Sequence, residues 1–313
     1  MTVRARSLAG AALHHGGVDL VRHALAIAVI VMHAKSNSRH DPQTLAGLDV
    51  LTAWIDSAVL CFFVVSGLVT ADTRGWSLAR GRQLLKRYMG PYLLFSAVYA
   101  VALVTLGIAH WTTLGFGVLG LHGAALQLYF LPRLALLQWV SMGLQRPWSP
   151  DQARWLMLVC ATVWALLMPS PDILGADYPV WPLYVVAFAA GGLMRASTVW
   201  QLRWGRVAVL CVAAGAVGLH DPRFIELAVL LPALAAVLSV TRGLAGRRFP
   251  GSGGVFLLHA PILNHAVSTG LQSVHVLQWA NVCGSVALTY GVALLLTLWF
   301  IRQFPDARWV VLE

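Results

Sequence analysis

The stretch Val286-Ala-Leu-Thr-Tyr-Gly-Val-Ala-Leu-Leu-Leu-Thr-Leu-Trp-Phe300 contains no charged residue and is apolar on every side of the helix that it would form. A helix that is hydrophobic all round is buried in a protein core or surrounded by lipid. The whole chain of 313 residues is 58% hydrophobic and only 11% charged, with a mean hydropathy of +0.72. Soluble domains carry about 25% charged residues, so this chain could not cover a soluble surface, and lipid must be part of its solvent.

Similar apolar stretches occur along the rest of the chain. A scan for apolar runs of about 20 residues predicts about ten transmembrane helices. The predicted spans are residues 18–34, 48–70, 90–108, 123–141, 154–169, 179–194, 206–219, 224–241, 252–272 and 280–301. A closed β-barrel would need strands of about ten residues with alternating polarity, and the sequence lacks this alternation. We therefore predict an all-α, polytopic membrane bundle that occupies residues 1–313 as a single domain.

The basic residues indicate how this bundle is oriented. If the N-terminus is cytoplasmic, 17 of the 22 Lys and Arg residues fall in cytoplasmic gaps. The exceptions are Lys35, Arg39 and Arg223 outside, and Arg22 and Arg133 within spans. This asymmetry follows the positive-inside rule and predicts that both termini are cytoplasmic. It also explains the net charge of +10 by topology and contact with anionic membrane lipid, so no nucleic-acid partner is expected.

The cysteines and the N-terminal segment predict no additional chemistry. The four cysteines each lie in a different apolar run, with no paired spacing: Cys61, Cys160, Cys211 and Cys283. We interpret them as small buried hydrophobic residues, and predict neither a disulfide framework nor a metal site. Arg4 and Arg6 precede an apolar stretch, as in a signal peptide, but no small-residue cleavage site follows His33. We therefore expect the first span to be retained.

Two ionisable residues, Arg22 and His33, lie within the first predicted span. At 100° per residue, eleven steps bring a side chain back to within about 20° of its starting direction, roughly 16 Å further along the axis. One face therefore carries a guanidinium near the cytoplasmic end and an imidazole near the outer end. Arginine can hold phosphate or another polar donor group, and histidine can take a proton from an attacking hydroxyl. The alternative is that Arg22 reaches lipid headgroups and His33 simply ends the span at the interface.

This arginine–histidine spacing is the first of five segments that form a pattern along the chain. They are Val18-Asp-Leu-Val-Arg-His-Ala-Leu-Ala-Ile-Ala-Val-Ile-Val-Met-His33, Phe62-Phe-Val-Val-Ser-Gly-Leu68, Arg82-Gln-Leu-Leu-Lys-Arg-Tyr-Met-Gly-Pro-Tyr92, Leu128-Tyr-Phe-Leu-Pro132 and Phe256-Leu-Leu-His-Ala-Pro261. Together, and in this order, they resemble the acyltransferase family 3, membrane-bound O-acyltransferases of the exopolysaccharide O-acetylase type. The resemblance covers residues 18 to 261, which is most of the chain.

The resemblance implies an enzyme of about ten helices in a bacterial inner membrane. Such an enzyme moves an acyl group from cytoplasmic acyl-CoA, commonly acetyl-CoA, to a hydroxyl of a glycan or lipid-linked glycan, and holds no bound cofactor. The resemblance implies that His33 is the catalytic histidine, that Arg22 is its essential partner, and that Arg82 and Arg87 match the cytoplasmic arginines. The family often has tryptophan where this chain has Tyr129, a predicted substrate contact. The chain lacks the extracytoplasmic esterase-like domain of some members, so the membrane domain or a separate partner protein would complete transfer.

The remaining candidate residues each have a functional and a structural interpretation. Arg82 and Arg87 could bind the CoA phosphates, or could serve only as a topology signal facing anionic lipid. His259 could orient the thioester or relay a proton, or could be a buried structural histidine. Asp56 could orient His33, or could pair with another polar residue or line water. Ser66, followed by Gly67, has no evident base nearby, so helix packing is the better interpretation.

The sequence favours an acyl-CoA-dependent O-acyltransferase in which His33 acts as general base or is acylated first. The main alternative is a membrane transporter or flippase for a glycolipid or small solute, which would share the apolar bundle. It is disfavoured because the sequence shows no internal repeat and because Asp56 is the clearest acid within a span, which is little for proton coupling. A scaffold without activity would not need arginine and histidine on one helix face.

Overall fold

The computed structural model describes residues 16–37, 42–55, 58–70, 77–107, 110–111, 115, 126–167, 180–194, 202–219, 221, 223–244, 247–276 and 278–312. Within these ranges the chain is helical and forms no β-strand, which confirms the predicted all-α class for this part of the protein. The α-helices in the described ranges are α1 (Gly16–Asn37), α2 (Pro42–Ile55), α3 (Ala58–Val69), α4 (Leu78–Thr105), α5 (Phe130–Leu144), α6 (Pro150–Leu167), α7 (Val180–Met194), α8 (Trp204–Gly218), α9 (Arg223–Val240), α10 (Ser252–Leu258), α11 (Asn264–Ser273) and α12 (Gln278–Gln303).

Shorter helical turns connect some of these helices. 3₁₀ turns cover Leu126–Tyr129, Thr241–Leu244 and Pro305–Val311, and a π-helical turn covers His259–Leu263.

Several described helices are long and apolar enough to cross a membrane. These are Gly16–Lys35 within α1, and the whole of α4, α9 and α12. Shorter apolar helices include α3, α5, α8 and most of α7. These helices support an integral membrane protein, while the number of about ten spans and their orientation stay predictions.

Two of the predicted spans have a different helical structure from the one expected. The predicted span 48–70 begins inside α2, which starts at Pro42, and continues through α3, while residues 56–57 lie outside the described residues. Helix α4 begins at Leu78, well before the predicted start at residue 90, and includes the basic residues of the preceding gap. Hydropathy alone misses this part of α4 because its charged side chains are exposed on a regular helix.

The chain divides into two compact units. Unit 1 consists of Met1–Val21, Ser57–Ser77 and Leu137–Phe249, and unit 2 consists of Arg22–Asp56, Leu78–Leu136 and Pro250–Glu313. Every predicted site residue that the structure describes belongs to unit 2. The interpretation of residues 1–313 as one functional domain stays a prediction.

In unit 1, helices α3 and α7 pack backbone to backbone through glycines. A Cβ atom at Gly67 would overlap the carbonyl oxygen of Phe188, and one at Gly191 would overlap that of Val64. Without a hydrophobic effect between helices in lipid, such small residues allow close van der Waals packing. This contact agrees with the packing role predicted for the Ser66-Gly67 pair.

Unit 1 also contains an ion cluster around one carboxylate of α6. Asp151 lies 2.7 Å from Arg206 and 3.2 Å from Arg203. Burial alone would raise the pKa of the Asp151 carboxyl, but the hydrogen bond from Arg206 and the nearby guanidinium charges hold that pKa below its ordinary value. Arg154 and Arg206 also donate to the carbonyls of Gly192 and Leu193 at the end of α7. The cluster therefore joins three helices and caps one of them.

In unit 2, the middle of α1 packs against α10 and α12. Ala26 and Ile30 are fully buried in a cluster with Val255 and Ala293. A Cβ atom at Gly254 would overlap the Thr297 side chain, so α10 and α12 also approach closely. This packing buries the α1 face that leads from Arg22 towards His33, and it determines what His33 faces.

Candidate functional site

The centre of the candidate site is a pair of histidines in unit 2. His33, near the end of α1, and His259, at the start of the π-helical turn, have ring centroids 5.3 Å apart with the ring planes tilted by 49°. His259 is 0% exposed, whereas His33 is half-buried. The structure thus brings together two of the predicted site residues that are more than 220 positions apart in the sequence.

The hydrogen bonding of His259 determines which of its nitrogens is available. Its Nδ1 lies 3.2 Å from the carbonyl oxygen of Val255. A carbonyl oxygen only accepts, so Nδ1 carries the proton and, in the neutral ring, Nε2 carries a lone pair. Nε2 is buried and has no hydrogen-bond partner among the described residues. A buried nitrogen left in this state costs about 1–3 kcal/mol, which makes it a candidate to meet a ligand or reacting group.

The local backbone explains why His259 takes this position. Pro261 has no amide proton to donate, so the regular helical ladder loses one hydrogen bond in this segment. The chain instead forms the π-helical turn His259–Leu263 between α10 and α11. Such turns are rare and frequently occur at functional sites because the extra residue redirects the side chains around it.

Aromatic rings continue from His259 into the neighbouring helices of unit 2. The Phe256 ring lies 5.8 Å from His259, and the Phe130 ring lies 5.5 Å from Phe256. The buried Tyr99 hydroxyl donates to the carbonyl of Leu257, which joins α4 to α10. The histidine pair therefore lies beside an apolar aromatic wall, and such surroundings strengthen any polar interaction made there.

One side of α1, which we call the stripe, carries Arg22, the buried residues Ala26 and Ile30, and His33. Arg22 is half-buried and, by helical geometry, shares a face with Ala26 and His33. The next residue, His23, accepts or donates a hydrogen bond through Nδ1 with the Tyr290 hydroxyl of α12 at 3.0 Å. The two ends of this stripe thus carry polar groups, and the residues between them are apolar.

Tyr129 also belongs to unit 2, in the 3₁₀ turn that precedes α5. Its ring lies under the guanidinium of Arg133, 4.3 Å from the ring centroid, and Arg133 is only 9% exposed. Sequence analysis placed Arg133 within a span but assigned it no role. The sequence feature that could have identified Arg133 is its charge within an apolar span, since ionisable residues in such spans are costly and usually functional.

A buried amide near His33 is a second feature that sequence analysis missed. Asn264 and Thr289 are both 0% exposed. The Thr289 hydroxyl donates to the Asn264 side-chain oxygen at 3.3 Å, and the Asn264 amide donates to the Ile30 carbonyl at 3.5 Å. Ile30 precedes His33 by one helical turn, so this amide anchors the C-terminal half of α1 to α11 and α12. A lone asparagine in an apolar run was the available signal.

The predicted donor-binding arginines are far apart around their helix. Arg82 and Arg87 are both exposed on α4. Five residues correspond to a rotation of about 140°, so the two side chains leave the helix in different directions. The predicted carboxylate partner of His33, Asp56, lies outside the described residues. In the described part of the chain, no group of three or more His, Cys, Asp or Glu residues could hold a metal ion.

Comparison of the chain with models of protein families, with curated proteins and with solved structures finds no match.

Proposed function

We propose that this chain is a membrane O-acyltransferase that moves an acyl group, such as acetyl, from cytoplasmic acyl-CoA to a hydroxyl of a cell-surface glycan. The observation that carries the proposal is the His33–His259 pair, with ring centroids 5.3 Å apart and a buried Nε2 on His259 that has no partner in the part of the chain that the structure describes. The segments that resemble acyltransferase family 3 support the same reaction class.

The proposed reaction balances without any further reagent. The acceptor oxygen forms a bond to the thioester carbon, and the bond from that carbon to the CoA sulfur breaks. The hydroxyl proton passes to His33 and from there to the departing thiolate. In the other order, His33 is acylated first and then passes the acyl group to the hydroxyl. His259 serves in either order as a neutral acceptor next to the reacting groups, since its Nδ1 proton is engaged by Val255.

The arrangement of α1 suits a reaction that joins two sides of a membrane. We propose about ten spans in a bacterial inner membrane, with both termini cytoplasmic. Arg22 then lies on the donor side and His33 towards the acceptor side, roughly 16 Å apart along α1. The thin pantetheine arm of CoA enters the bundle and brings the thioester near His33. A glycan or lipid-linked glycan approaches from the other side, alone or delivered by a separate partner protein.

The test is acyl transfer by the purified chain in lipid vesicles. Acetyl-CoA is supplied on one side and a bacterial surface polysaccharide on the other, and mass spectrometry of the polysaccharide measures the gain of acetyl units. A positioned histidine contributes about 10²–10⁴ in rate, so His33→Ala should lower transfer by at least a hundredfold. His265→Ala removes an exposed histidine of unit 2 and is the matched control.

Two outcomes would contradict the proposal. One is transfer by His33→Ala at the wild-type rate. The other is movement of an unmodified glycolipid across the vesicle membrane that does not depend on acyl-CoA, which would instead favour the transporter or flippase.

A further inference from the structure

The C-terminal 3₁₀ turn of the chain docks on the basic half of α4. Trp309 lies against Gly90, where a Cβ atom would overlap its indole ring. The Lys86 ammonium lies over the same ring, 5.1 Å from its centroid. On the other side of the turn, Val311 is buried and its carbonyl lies against Gly253 in the first turn of α10. A Cβ atom at either glycine would overlap the turn, so Pro305–Val311 packs closely against α4 and α10 within unit 2.

The docked turn selects one face of α4. Arg82, Lys86 and Gly90 follow each other in steps of four residues, so they lie along one side of the helix. We call these three residues together with Trp309 the Trp309 face. Arg87 is about 140° away from Arg82 around the helix. Its guanidinium instead lies 5.8 Å from the ring of its neighbour Tyr88.

Cations are in excess at this end of unit 2. Arg82 and Lys86 are exposed on the Trp309 face, and Arg308 is exposed immediately before Trp309. Asp306 is the acidic residue of the same turn. Lysine and arginine side chains bind phosphate through charge-assisted hydrogen bonds. A lysine side chain held over an indole ring samples fewer conformations, so it loses less conformational entropy when it binds a phosphate.

We propose that the Trp309 face, completed by Arg308, is the surface that binds the phosphates of the acyl donor. The inference rests on the proposed function for the identity of that donor as acyl-CoA. It replaces the predicted pair of Arg82 and Arg87 with Arg82 and Lys86, because only the latter two share a helix face with the docked turn. The C-terminal turn is thereby part of the donor site.

The experiment uses adenosine 3′,5′-bisphosphate, the phosphate-bearing end of CoA, as a probe. Its Kd is measured by calorimetry with the full chain in a neutral detergent free of anionic lipid. Arg82→Ala and Lys86→Ala should each raise the Kd about tenfold, which corresponds to about 1.4 kcal/mol. Arg87→Ala is the matched control and should change it by less than about threefold, as for a screened surface charge.

A second variant tests the docked turn without removing any charge. Gly90→Ala places a methyl group where the Trp309 ring lies, so the turn must shift. We expect its Kd to rise at least fivefold while its thermal unfolding midpoint shows that the protein is folded. An equal effect of Arg87→Ala and Lys86→Ala, or an unchanged Kd in Gly90→Ala, would overturn the assignment.

Phosphatidylglycerol vesicles distinguish donor phosphates from lipid headgroups. If Lys86→Ala weakens binding of the full chain to these lipids but leaves the Kd of the probe unchanged, the face binds lipid and the proposal fails. His33→Ala should bind the probe with wild-type Kd, because it removes only the reacting imidazole. Probe binding that depends on the Trp309 face but is not accompanied by acyl transfer would therefore contradict the proposed function and leave the phosphate site in place.

Discussion

At the scale of single residues, the site depends on which nitrogen of His259 is free. Helical geometry at Val255 holds the Nδ1 proton and leaves Nε2 buried and without a partner among the described residues. His33 lies next to it with more exposure. This difference in surroundings suits different tasks, since His33 can meet incoming groups while His259 stays fixed.

A pair of substitutions at His259 separates catalysis from packing. His259→Leu should lower the turnover number about a hundredfold, because the acceptor next to His33 is lost. His259→Gln supplies a side-chain oxygen that can accept a hydrogen bond and should retain more activity. Steady-state transfer kinetics of both variants measure this difference.

In His259→Leu, we expect activity to fall while thermal stability stays the same or rises. The Val255 carbonyl keeps its bond from the backbone amide of residue 259, so His259→Leu leaves this carbonyl paired and removes a buried nitrogen that is unsatisfied among the described residues. We expect its thermal unfolding midpoint to equal or exceed that of the wild type. A large loss of stability in His259→Leu, with activity lost equally in His259→Gln, would mean that the residue is structural.

At the scale of helices, the places where two elements approach each other closely depend on glycine. Helices α3 and α7 meet at Gly67 and Gly191, and α4 meets the C-terminal turn at Gly90. In lipid, where apolar surfaces gain little from contacting each other, such approaches supply the van der Waals energy that holds helices together. The glycines therefore carry information about neighbours that no hydropathy profile contains.

Gly67→Ala tests the α3–α7 contact. The added methyl group meets a backbone oxygen of Phe188, which cannot rotate away. The helices must separate, and we expect a loss of about 1–3 kcal/mol in the free energy of unfolding. The same change at Gly215 in α8 meets nothing within 4 Å and should be neutral or slightly stabilising, because alanine favours helix. Thermal unfolding in detergent compares the two, and equal midpoints would contradict the described packing.

At the scale of the whole molecule, the chemistry-bearing residues are concentrated in one of the two units. Unit 2 contains the histidine pair, the Arg22 end of the stripe and the Trp309 face. Unit 1 contains the glycine-packed helices and the Asp151 cluster, in which one carboxylate faces three arginines near the end of α7. We infer that unit 2 carries the proposed reaction. The orientation of the chain in the membrane then decides which substrate reaches which end of α1.

The proposed orientation can be measured with introduced cysteines. Gln43 of α2 and Gln83 of α4 are both exposed, and the positive-inside rule assigns them to opposite sides of the membrane. In a chain whose four native cysteines are replaced, a membrane-impermeant thiol reagent applied to intact spheroplasts should label Gln43→Cys and leave Gln83→Cys unlabelled until the membrane is opened. Labelling of both positions from outside would refute the orientation with both termini cytoplasmic.

The sequence alone determined the helical class, most helix positions and the membrane character, because each depends on local composition and on period along one segment. It also placed Arg22 and His33 on one face, since both belong to the same helix. The tertiary structure decided what no single segment contains. It placed His259 opposite His33, left Nε2 buried, joined Asn264 to Ile30 and docked Trp309 on Gly90. These contacts join residues distant in the chain, and they depend on side-chain volume and hydrogen-bond direction in three dimensions, which neither hydropathy nor spacing records.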